Sequence, residues 1–493
     1  MEQEGALERL RRAVRIKTDW PENVRGEAPD PRALEAAEAP LRAFQDFLAA
    51  SYPRFHRVTE RRVLNPYALA YRWPGTARQG GAAEGGSADG DVLILAHYDV
   101  VPAEADKWRV DPFGAEIREG FLYGRGAQDM KGSLIALMEA AEGLAFRGFR
   151  PWRDIWFAFG GDEERSGLGA QAMAAWFTRR GQWFSWILDE GSPITFNQIR
   201  GIHRPLALFG VEEKGFLSLE LAVDQKPGHA SRPPKVQAAA LLARALLRVS
   251  RRPFPVRLSP VTAALFSRLG ELRGVEAEEA PGAGDAGAEE TAKAEAGDPA
   301  RGYPRRRAAA LCALSPLAAP VLAFAFRGDP QIQALLRSTV AMTQLEGSAA
   351  DNVLPSRVRA VINLRLLAPW TVDRAVERIR RIVGDDRVKL RILGSASSPA
   401  PAHPDHGRMG GPGWADMARA ASAIVPGAVP LPFIMTAATD SRHYRQLTEG
   451  IFRFSPMRLS PADLSGVHGH DERISLENFF LAIRFYAALL EGL

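Results

Sequence analysis

Acidic residues and a histidine follow three apolar segments of this chain, at the point where each segment ends. The segments are residues 92–99 (VLILAHYD), 155–164 (IWFAFGGDEE) and 186–190 (WILDE). Burying acidic groups is unfavourable unless a positive charge compensates them, and neighbouring strands that end together would bring these groups close. The pattern therefore indicates a hydrolase site that holds two metal ions.

The first of these segments carries a histidine and an aspartate two residues apart. His97 and Asp99 point to the same side because side chains alternate along an extended chain. An imidazole with a carboxylate behind it is a common arrangement of a metal ligand and the acid that orients it. We expect His97 to bind metal and Asp99 to orient it; the alternative is a surface histidine in a turn.

A glycine-rich turn at residues 124–132 (GRGAQDMKG) carries Asp129 before a helix predicted over 133–144. Glycines let the backbone approach a metal closely, and a carboxylate in such a turn can bridge two cations. The alternative is that Asp129 only caps the helix.

Two glutamates are adjacent in the second segment, so their side chains point in different directions. One of Glu163 and Glu164 can bind metal while the other acts as a general base, since an apolar, metal-bound cleft keeps the proton affinity of a carboxylate near the working pH. The alternative for this pair is a solvated acidic turn.

For the remaining two ligands, the sequence offers two candidates each. Asp189 or Glu190 would supply the terminal carboxylate of the second metal. His468 or His470, shortly before the last predicted helix, would supply another histidine, although both could be exposed.

The composition is typical of a globular protein. The 493 residues, 46% of them hydrophobic, can bury a large core and predict about two to three domains. The formal charge is +5, but the basic residues are scattered without a stripe interleaved with aromatics, so nucleic acid is not an expected partner. The single cysteine, Cys312, fits a reducing compartment, and residues 1–20 indicate a charged amphipathic helix instead of a secretory signal. We expect a cytoplasmic protein.

Residues 308–326 are nearly apolar over about the length that spans a bilayer. Pro316 and Pro320 interrupt this stretch and alanine dominates it, so a membrane span is not expected. Buried helices, or a surface that accepts an apolar ligand such as a fatty-acyl tail, are the expected alternatives.

The pattern of elements predicts a large α/β domain with a smaller domain inserted into it. Strands alternate with helical patterns from about residue 91 to 199, which predicts an α/β sheet with helices on its faces. Strands at 215–223, 358–366 and 388–393, with helices at 237–249 and 372–383, then predict an α+β insertion with its own sheet. Residues 76–90 and 275–299 cannot readily build a core and are expected to be poorly ordered.

The motifs, in their order, resemble those of one family of zinc peptidases. The motifs are HYDVVP, GRGAQDMKG, GGDEE, LDEG, GHASRPP and HGHDE. They resemble the family that contains aminoacylase, carboxypeptidase S and succinyl-diaminopimelate desuccinylase, over nearly the whole chain. DNVLP at 351–355, NLR at 363–365 and TDSRH at 439–443 are most similar to the branch of carboxypeptidase S and N-acyl amino acid hydrolases.

The resemblance implies two zinc ions per chain, for which Co²⁺ or Mn²⁺ could substitute. Asp129 would bridge the ions, and the other implied ligands are His97, Glu164, Asp189 and His468. Asp189 is preferred to Glu190, and His468 to His470. The resemblance also implies that Glu163 is the general base and Asp99 the acid that orients the histidine.

The resemblance further implies an architecture and a set of residues that bind substrate. A catalytic domain with a central mixed sheet flanked by helices (1–208 and 396–493) would be split around a lid with a four-stranded sheet (209–395), through which two chains form a homodimer. His229 would reach the partner's active site and help bind the developing oxyanion. Asn352 and Arg365 would contact the substrate carbonyl and carboxylate, and Asp440 and Arg442 are further candidates for binding substrate.

We therefore expect a zinc-dependent hydrolase that cleaves the amide bond of N-acyl amino acids or small peptides with a free carboxylate. One alternative is a dipeptidase or biosynthetic deacylase that uses the same site. Another is a catalytically silent relative that binds a peptide or acyl amino acid. The silent relative is disfavoured because every motif position that the chemistry needs is filled.

Overall fold

The structure, a computed structural model, describes residues 3–20, 31–76, 90–165, 167–197, 202–279, 318–348 and 350–493. The chain separates into two units. The first comprises Met1–Val211, Ala402–Phe433 and Thr439–Leu493, and the second comprises Glu212–Pro401 and Ile434–Ala438. Cys312 lies outside the described residues. The same holds for positions 77–89 of the first predicted loop, 280–299 of the second predicted loop and 308–317 of the apolar stretch.

An eight-stranded mixed sheet organises the first unit. In spatial order its strands are β1 (Glu60–Asn65), β2 (Ala68–Trp73), β6 (Ile155–Gly160), β3 (Asp91–His97), β7 (Phe184–Thr195), β16 (Ile451–Arg458), β8 (Leu206–Glu213) and β15 (Val429–Met435). The four strands β6, β3, β7 and β16 run parallel, whereas β2 pairs antiparallel with β1 and β6. β3 and β6 are buried along their whole length, as expected for apolar strands covered on both faces.

Helices pack on this sheet. Those of the first unit are α1 (Gln3–Arg15), α2 (Pro31–Ser51), α3 (Pro53–Val58), α4 (Lys131–Phe146), α5 (Leu168–Arg179), α11 (Trp414–Ile424), α12 (Pro461–Leu464) and α13 (Leu476–Glu491). α4 packs against β3 and α13, and α5 packs against β2 and β6. Leu93 and Leu95 of β3 share one core cluster with Met173 and Phe177 of α5. A small sheet of β4 (Glu116–Arg118), β5 (Phe121–Tyr123) and β17 (Arg473–Ser475) completes the unit.

The second unit contains a four-stranded antiparallel sheet. Its spatial order is β11 (Thr339–Glu346), β13 (Arg357–Leu366), β9 (Gly215–Asp224) and β14 (Lys389–Ser397). Leu217, Leu219 and Leu221 alternate along β9 and pack in one cluster with two helices, α6 (Ala238–Arg251) and α10 (Val372–Val383). The unit also contains α7 (Pro260–Glu279), α8 (Ala318–Ala325), α9 (Pro330–Leu336) and a ribbon of β10 (Gly228–His229) with β12 (Val353–Leu354).

The α/β class, the mixed central sheet and the separate four-stranded sheet are confirmed. The catalytic and lid roles given to the two parts of the chain stay predictions. Two expectations are refined: α7 continues to Glu279, so the first residues of the predicted insertion are helical, and the N-terminal helix ends at Arg15. Among the helices that the structure describes, none combines the length and apolarity needed to cross a membrane.

Candidate metal centre

Two histidines face one aspartate from opposite sides at the edge of the sheet where β3 and β6 end. Nε2 of His97 lies 3.1 Å from Oδ1 of Asp129 and 3.2 Å from Oε1 of Glu190. Nε2 of His468 lies 3.1 Å from Oδ2 of the same aspartate and 3.0 Å from Oε1 of Glu164. Asp129 thus presents a different carboxylate oxygen to each histidine, and each histidine has a second carboxylate beside it.

The charges of this cluster do not balance. Burial raises the pKa of Glu163 and Glu190 well above the usual value, and neighbouring carboxylates raise it further. Burial acts in the same direction on Asp129, but hydrogen bonds with His468 and His97 hold the pKa of Asp129 well below its usual value. The hydrogen bonds to Asp129 and Glu164 raise the pKa of His468 to about 10. Such a cluster favours bound cations, which would replace the protons on the histidines.

Asp99 connects two of the turns that carry the cluster. Nδ1 of His97 lies 3.0 Å from the Asp99 backbone oxygen and 3.4 Å from Oδ1 of its carboxylate. The same carboxylate accepts the backbone N–H groups of Glu163 and Glu164, each at 3.1 Å. Asp99 therefore contacts the imidazole and also bonds to the backbone of both glutamates.

Glu472 supports the turn that carries Asp129, and sequence reasoning did not assign it a role. Its carboxylate accepts the backbone N–H groups of Gly126, Gln128 and Asp129 at 3.1, 2.9 and 3.0 Å, and the side chain of Arg125 at 2.7 Å. The one sequence signal was its place at the end of the HGHDE motif. Gly126 has φ +83°, a conformation that favours glycine.

The alternative in which Asp129 only caps the following helix does not describe this turn. The N-cap residue of α4 is Met130, and no side chain caps the helix there. The Asp129 carboxylate is directed at the two histidines instead.

Asp189 and Glu190 point in different directions, and it is Glu190 that lies beside His97. The two carboxylate oxygens of Asp189 accept the backbone N–H groups of Glu190 at 2.9 Å and Ser441 at 2.8 Å. The sequence favoured Asp189 as the ligand, whereas the geometry favours Glu190. Successive side chains of β7 project to opposite sides, so only one of the two can face His97. His468 lies in the cluster as preferred, whereas Nε2 of His470 lies 3.2 Å from Oε2 of exposed Glu104.

The TDSRH motif contributes a buried acid and an arginine next to Glu163. Burial raises the pKa of Asp440 to about 8, with the charges of Asp189 and Asp162 acting in the same direction. Nη1 of Arg442 lies 3.8 Å from Oε1 of Glu163 and donates to the Thr439 backbone oxygen at 3.0 Å. Both residues therefore surround the glutamate that the sequence suggests as a base.

The other candidates for binding substrate belong to the second unit. His229 and Asn352 are brought together by the β10–β12 ribbon, where the Ala230 N–H donates to the Asn352 backbone oxygen at 2.9 Å. The guanidinium carbon of Arg365 lies 4.8 Å from the centroid of the Phe216 ring, and burial lowers the pKa of this arginine. Their roles toward substrate stay predictions.

The fold and this cluster of histidines and carboxylates are typical of a hydrolase that can hold metal ions. The sequence profile of peptidase family M20/M25/M40 matches residues 93–492, and the chain belongs to this family. The predicted family resemblance and the predicted enzyme class are thereby confirmed.

Curated relatives agree with this assignment, and a solved structure shares the fold. A probable carboxypeptidase S-like protein of Dictyostelium discoideum is 32% identical, covering 91% of this chain and 79% of its own length. An N-fatty-acyl-amino acid synthase/hydrolase of Mus musculus is 33% identical, covering 81% and 73%. The crystal structure of a family M20 metallo-carboxypeptidase from Sulfolobus solfataricus superposes with a TM-score of 0.64 at 16% identity, covering 99% of this chain and 98% of the other. At that identity the superposition shows the shared fold alone.

Proposed function

We propose that this protein is a two-zinc hydrolase that cleaves the amide bond of N-acyl amino acids or small peptides with a free carboxylate. One observation carries the proposal: Asp129 presents one oxygen to the pair His97 and Glu190 and the other to the pair His468 and Glu164. A carboxylate shared in this way is what a bridging ligand between two metal ions requires.

The donors fit zinc. Each half of the cluster offers one imidazole nitrogen and two carboxylate oxygens, a ligand set typical of catalytic zinc sites that keep a position open. We propose Glu190 in place of Asp189 as the terminal ligand; Co²⁺ or Mn²⁺ could occupy the same donors. Bound metal would lower the pKa of a water molecule and polarise the scissile carbonyl.

Glu163 is the proposed general base. Its side chain is only 11% exposed, and its raised pKa suits a group that takes a proton from water and returns it to the leaving amine. Asp99 holds the Glu163 backbone, and Arg442 lies close enough to orient the carboxylate. Asp440 and Arg442 are proposed to contact substrate beside this base.

We propose that residues of the second unit also bind substrate. By the family resemblance, Arg365 binds the free carboxylate in a bidentate contact, Asn352 contacts the carbonyl, and His229 helps to stabilise the oxyanion. We propose that this unit acts as the lid and that His229 serves the active site of the partner in a homodimer. The proposed location is the cytoplasm.

The names of the relatives suggest the substrate class. One is described as carboxypeptidase S-like and another as an N-fatty-acyl-amino acid synthase/hydrolase. Both kinds of substrate contain an amide bond next to an amino acid carboxylate, which is the group proposed for Arg365. The length of the acyl group is the property that separates the two.

The test compares Glu163→Gln with a matched control, Glu142→Gln. Glu142 is a similarly buried glutamate of the same unit, 14% exposed, that accepts the backbone N–H groups of Arg54 and Phe55. Zinc-loaded proteins are assayed against N-acyl amino acids of increasing acyl length and against dipeptides. We expect Glu163→Gln to keep its zinc and lose turnover by about 10²–10⁴-fold, with Glu142→Gln close to wild type.

Three results would count against the proposal or part of it. A Glu163→Gln protein as active as wild type would remove Glu163 from the role of base. Wild-type protein that binds zinc and cleaves no member of the panel would favour the silent binder, and cleavage of dipeptides alone would favour the dipeptidase.

A further inference from the structure

We propose that residues 16–20, which we call the N-terminal strap, position the three turns that carry the ligands of the metal centre. The proposal rests on the metal site of the proposed function. The strap follows α1 and contacts the chain next to His97, next to Glu163 and next to Asp129. Among the described residues, no hydrogen bond or ion pair joins its side chains to the cluster, so its residues would act by positioning.

The strap first forms hydrogen bonds on both sides of Asp99, in the turn that follows His97. Oγ1 of Thr18 donates to the Tyr98 backbone oxygen at 2.5 Å, and the Val100 N–H donates to the Thr18 backbone oxygen at 3.2 Å. Asp19 and Val100 form an isolated parallel β-bridge at the same place. These bonds fix the backbone on both sides of Asp99, the residue that holds the imidazole of His97.

The strap next holds the turn that leads into the two glutamates. Nε1 of Trp20 donates to the Gly161 backbone oxygen at 2.9 Å, two residues before Glu163. The Gly161 N–H donates to the Tyr67 backbone oxygen at 2.9 Å, and the Tyr67 ring packs edge-on against Trp20 with centroids 6.1 Å apart. Both backbone polar groups of Gly161 are therefore satisfied, one of them by the strap.

The third contact reaches the residue that begins α4. Nζ of Lys131 donates to the Ile16 backbone oxygen at 2.6 Å, two residues after Asp129. Lys131 is fully buried, so its ammonium group needs hydrogen-bond acceptors within the protein, and the Ile16 carbonyl is one of them. The start of the strap is thus tied to the turn of the bridging aspartate.

A site of two metal ions depends on such support. Ligands must be held within a fraction of an ångström of their working geometry, and groups that only orient ligands typically contribute 10–100-fold in metal affinity. A strap bonded to three ligand-bearing turns at once would keep their spacing fixed when metal leaves. We therefore expect Thr18 and Trp20 to determine zinc affinity without binding zinc.

The test measures zinc affinity by competition with a chromogenic chelator, alongside the thermal midpoint of metal-free protein. Thr18→Val removes the hydroxyl, and Trp20→Phe removes the indole N–H while keeping an aromatic ring. The matched control is Thr448→Val, a buried threonine of the same unit whose hydroxyl bonds to the Ser185 and Gly450 backbone oxygens. We expect the double variant Thr18→Val/Trp20→Phe to bind zinc roughly tenfold more weakly and Thr448→Val to bind it as wild type does.

Zinc affinity of the double variant equal to that of Thr448→Val would overturn the proposal, whatever happens to the thermal midpoint. If the double variant does not fold, the single variant Trp20→Phe is measured instead, and a zinc affinity equal to that of wild type again overturns the proposal. Wild-type protein that binds zinc but cleaves no amide would overturn the proposed function and leave the role of the strap standing. Wild-type protein that binds no zinc would overturn both.

Discussion

Buried glutamates occur in both units, but their surroundings differ. In the second unit, Glu220 is 2% exposed in its side chain and lies among three arginines, with Arg357 at 2.9 Å, Arg391 at 3.2 Å and Arg359 at 3.4 Å. Burial disfavours its charge, yet the arginines hold the pKa of Glu220 below its usual value. In the first unit, burial raises the pKa of Glu163 and Glu190, and the other carboxylates around them raise it further.

The difference lies in what compensates the negative charge of each acid. The charge of Glu220 is compensated by side chains of this chain, so nothing further is needed for it to be ionised. The cluster around Asp129 has no arginine in a comparable position among the described residues; the guanidinium of Arg442 lies 3.8 Å from the carboxylate of Glu163. An incomplete balance of charge in a buried cluster is the physical sign of a cation site.

Removing the metal is the largest perturbation that this comparison predicts. Chelation should abolish turnover and lower the free energy of unfolding at neutral pH, by about 4 kcal/mol if zinc is present at 1,000 times its dissociation constant. Added zinc should restore both. Activity would be followed with a cleaved substrate and stability by denaturant unfolding, and full activity after exhaustive chelation would contradict the metal centre.

A smaller effect distinguishes the two acids at the end of β7. Glu190→Gln should weaken zinc binding by at least roughly tenfold, because it alters a proposed ligand. Asp189→Asn should keep zinc but lower stability by about 1–3 kcal/mol, since one of two buried N–H groups loses its acceptor. Zinc competition and unfolding of both variants provide the measurement. The reverse pattern, with zinc lost from Asp189→Asn alone, would return Asp189 to the ligand set.

Strand geometry alone was enough to predict that some of the candidate side chains lie close together. His97 ends β3, and Glu163 and Glu164 follow β6. The two strands are parallel neighbours, so the convergence of these residues could be predicted from the pattern of apolar segments. The choice between Asp189 and Glu190 could not be predicted, because adjacent residues face opposite sides and only the observed register shows which one faces His97.

Support from distant parts of the chain had no local signal that identified the supported turn. Glu472 accepts backbone N–H groups that lie 343 to 346 residues away in sequence, and Thr18 bonds to a carbonyl 80 residues away. Neither residue belongs to a pattern of hydrophobicity or turn chemistry that would indicate its partner. β11 was likewise not predicted on its own, because most of its residues are exposed and it lacks the alternation of a half-buried strand.

Measured for each pH unit, the smallest predicted effect is the opposite pH dependence of two acids in metal-free protein. Glu220 has a lowered pKa, so its contribution to stability is present above the usual value of 4.5 and is lost as the pH falls through the folded value. Glu220→Gln should therefore destabilise by about 1 kcal/mol at pH 7 and by less at pH 3. The pKa of Asp440 is raised from 3.8 to about 8. Its contribution to stability is therefore present below pH 3.8 and is lost as the pH rises through 8.

Asp440→Asn should accordingly gain stability relative to wild type between pH 4 and pH 8, by at most about 1.4 kcal/mol for each pH unit. Denaturant unfolding of the two variants and of wild type, after chelation, across pH 3 to 9 gives the measurement. Each variant serves as the control for the other, since both replace a buried carboxylate by its amide and only the surrounding charges differ. If both differences from wild type changed with pH in the same direction, the contrast between compensated and uncompensated acids would be wrong.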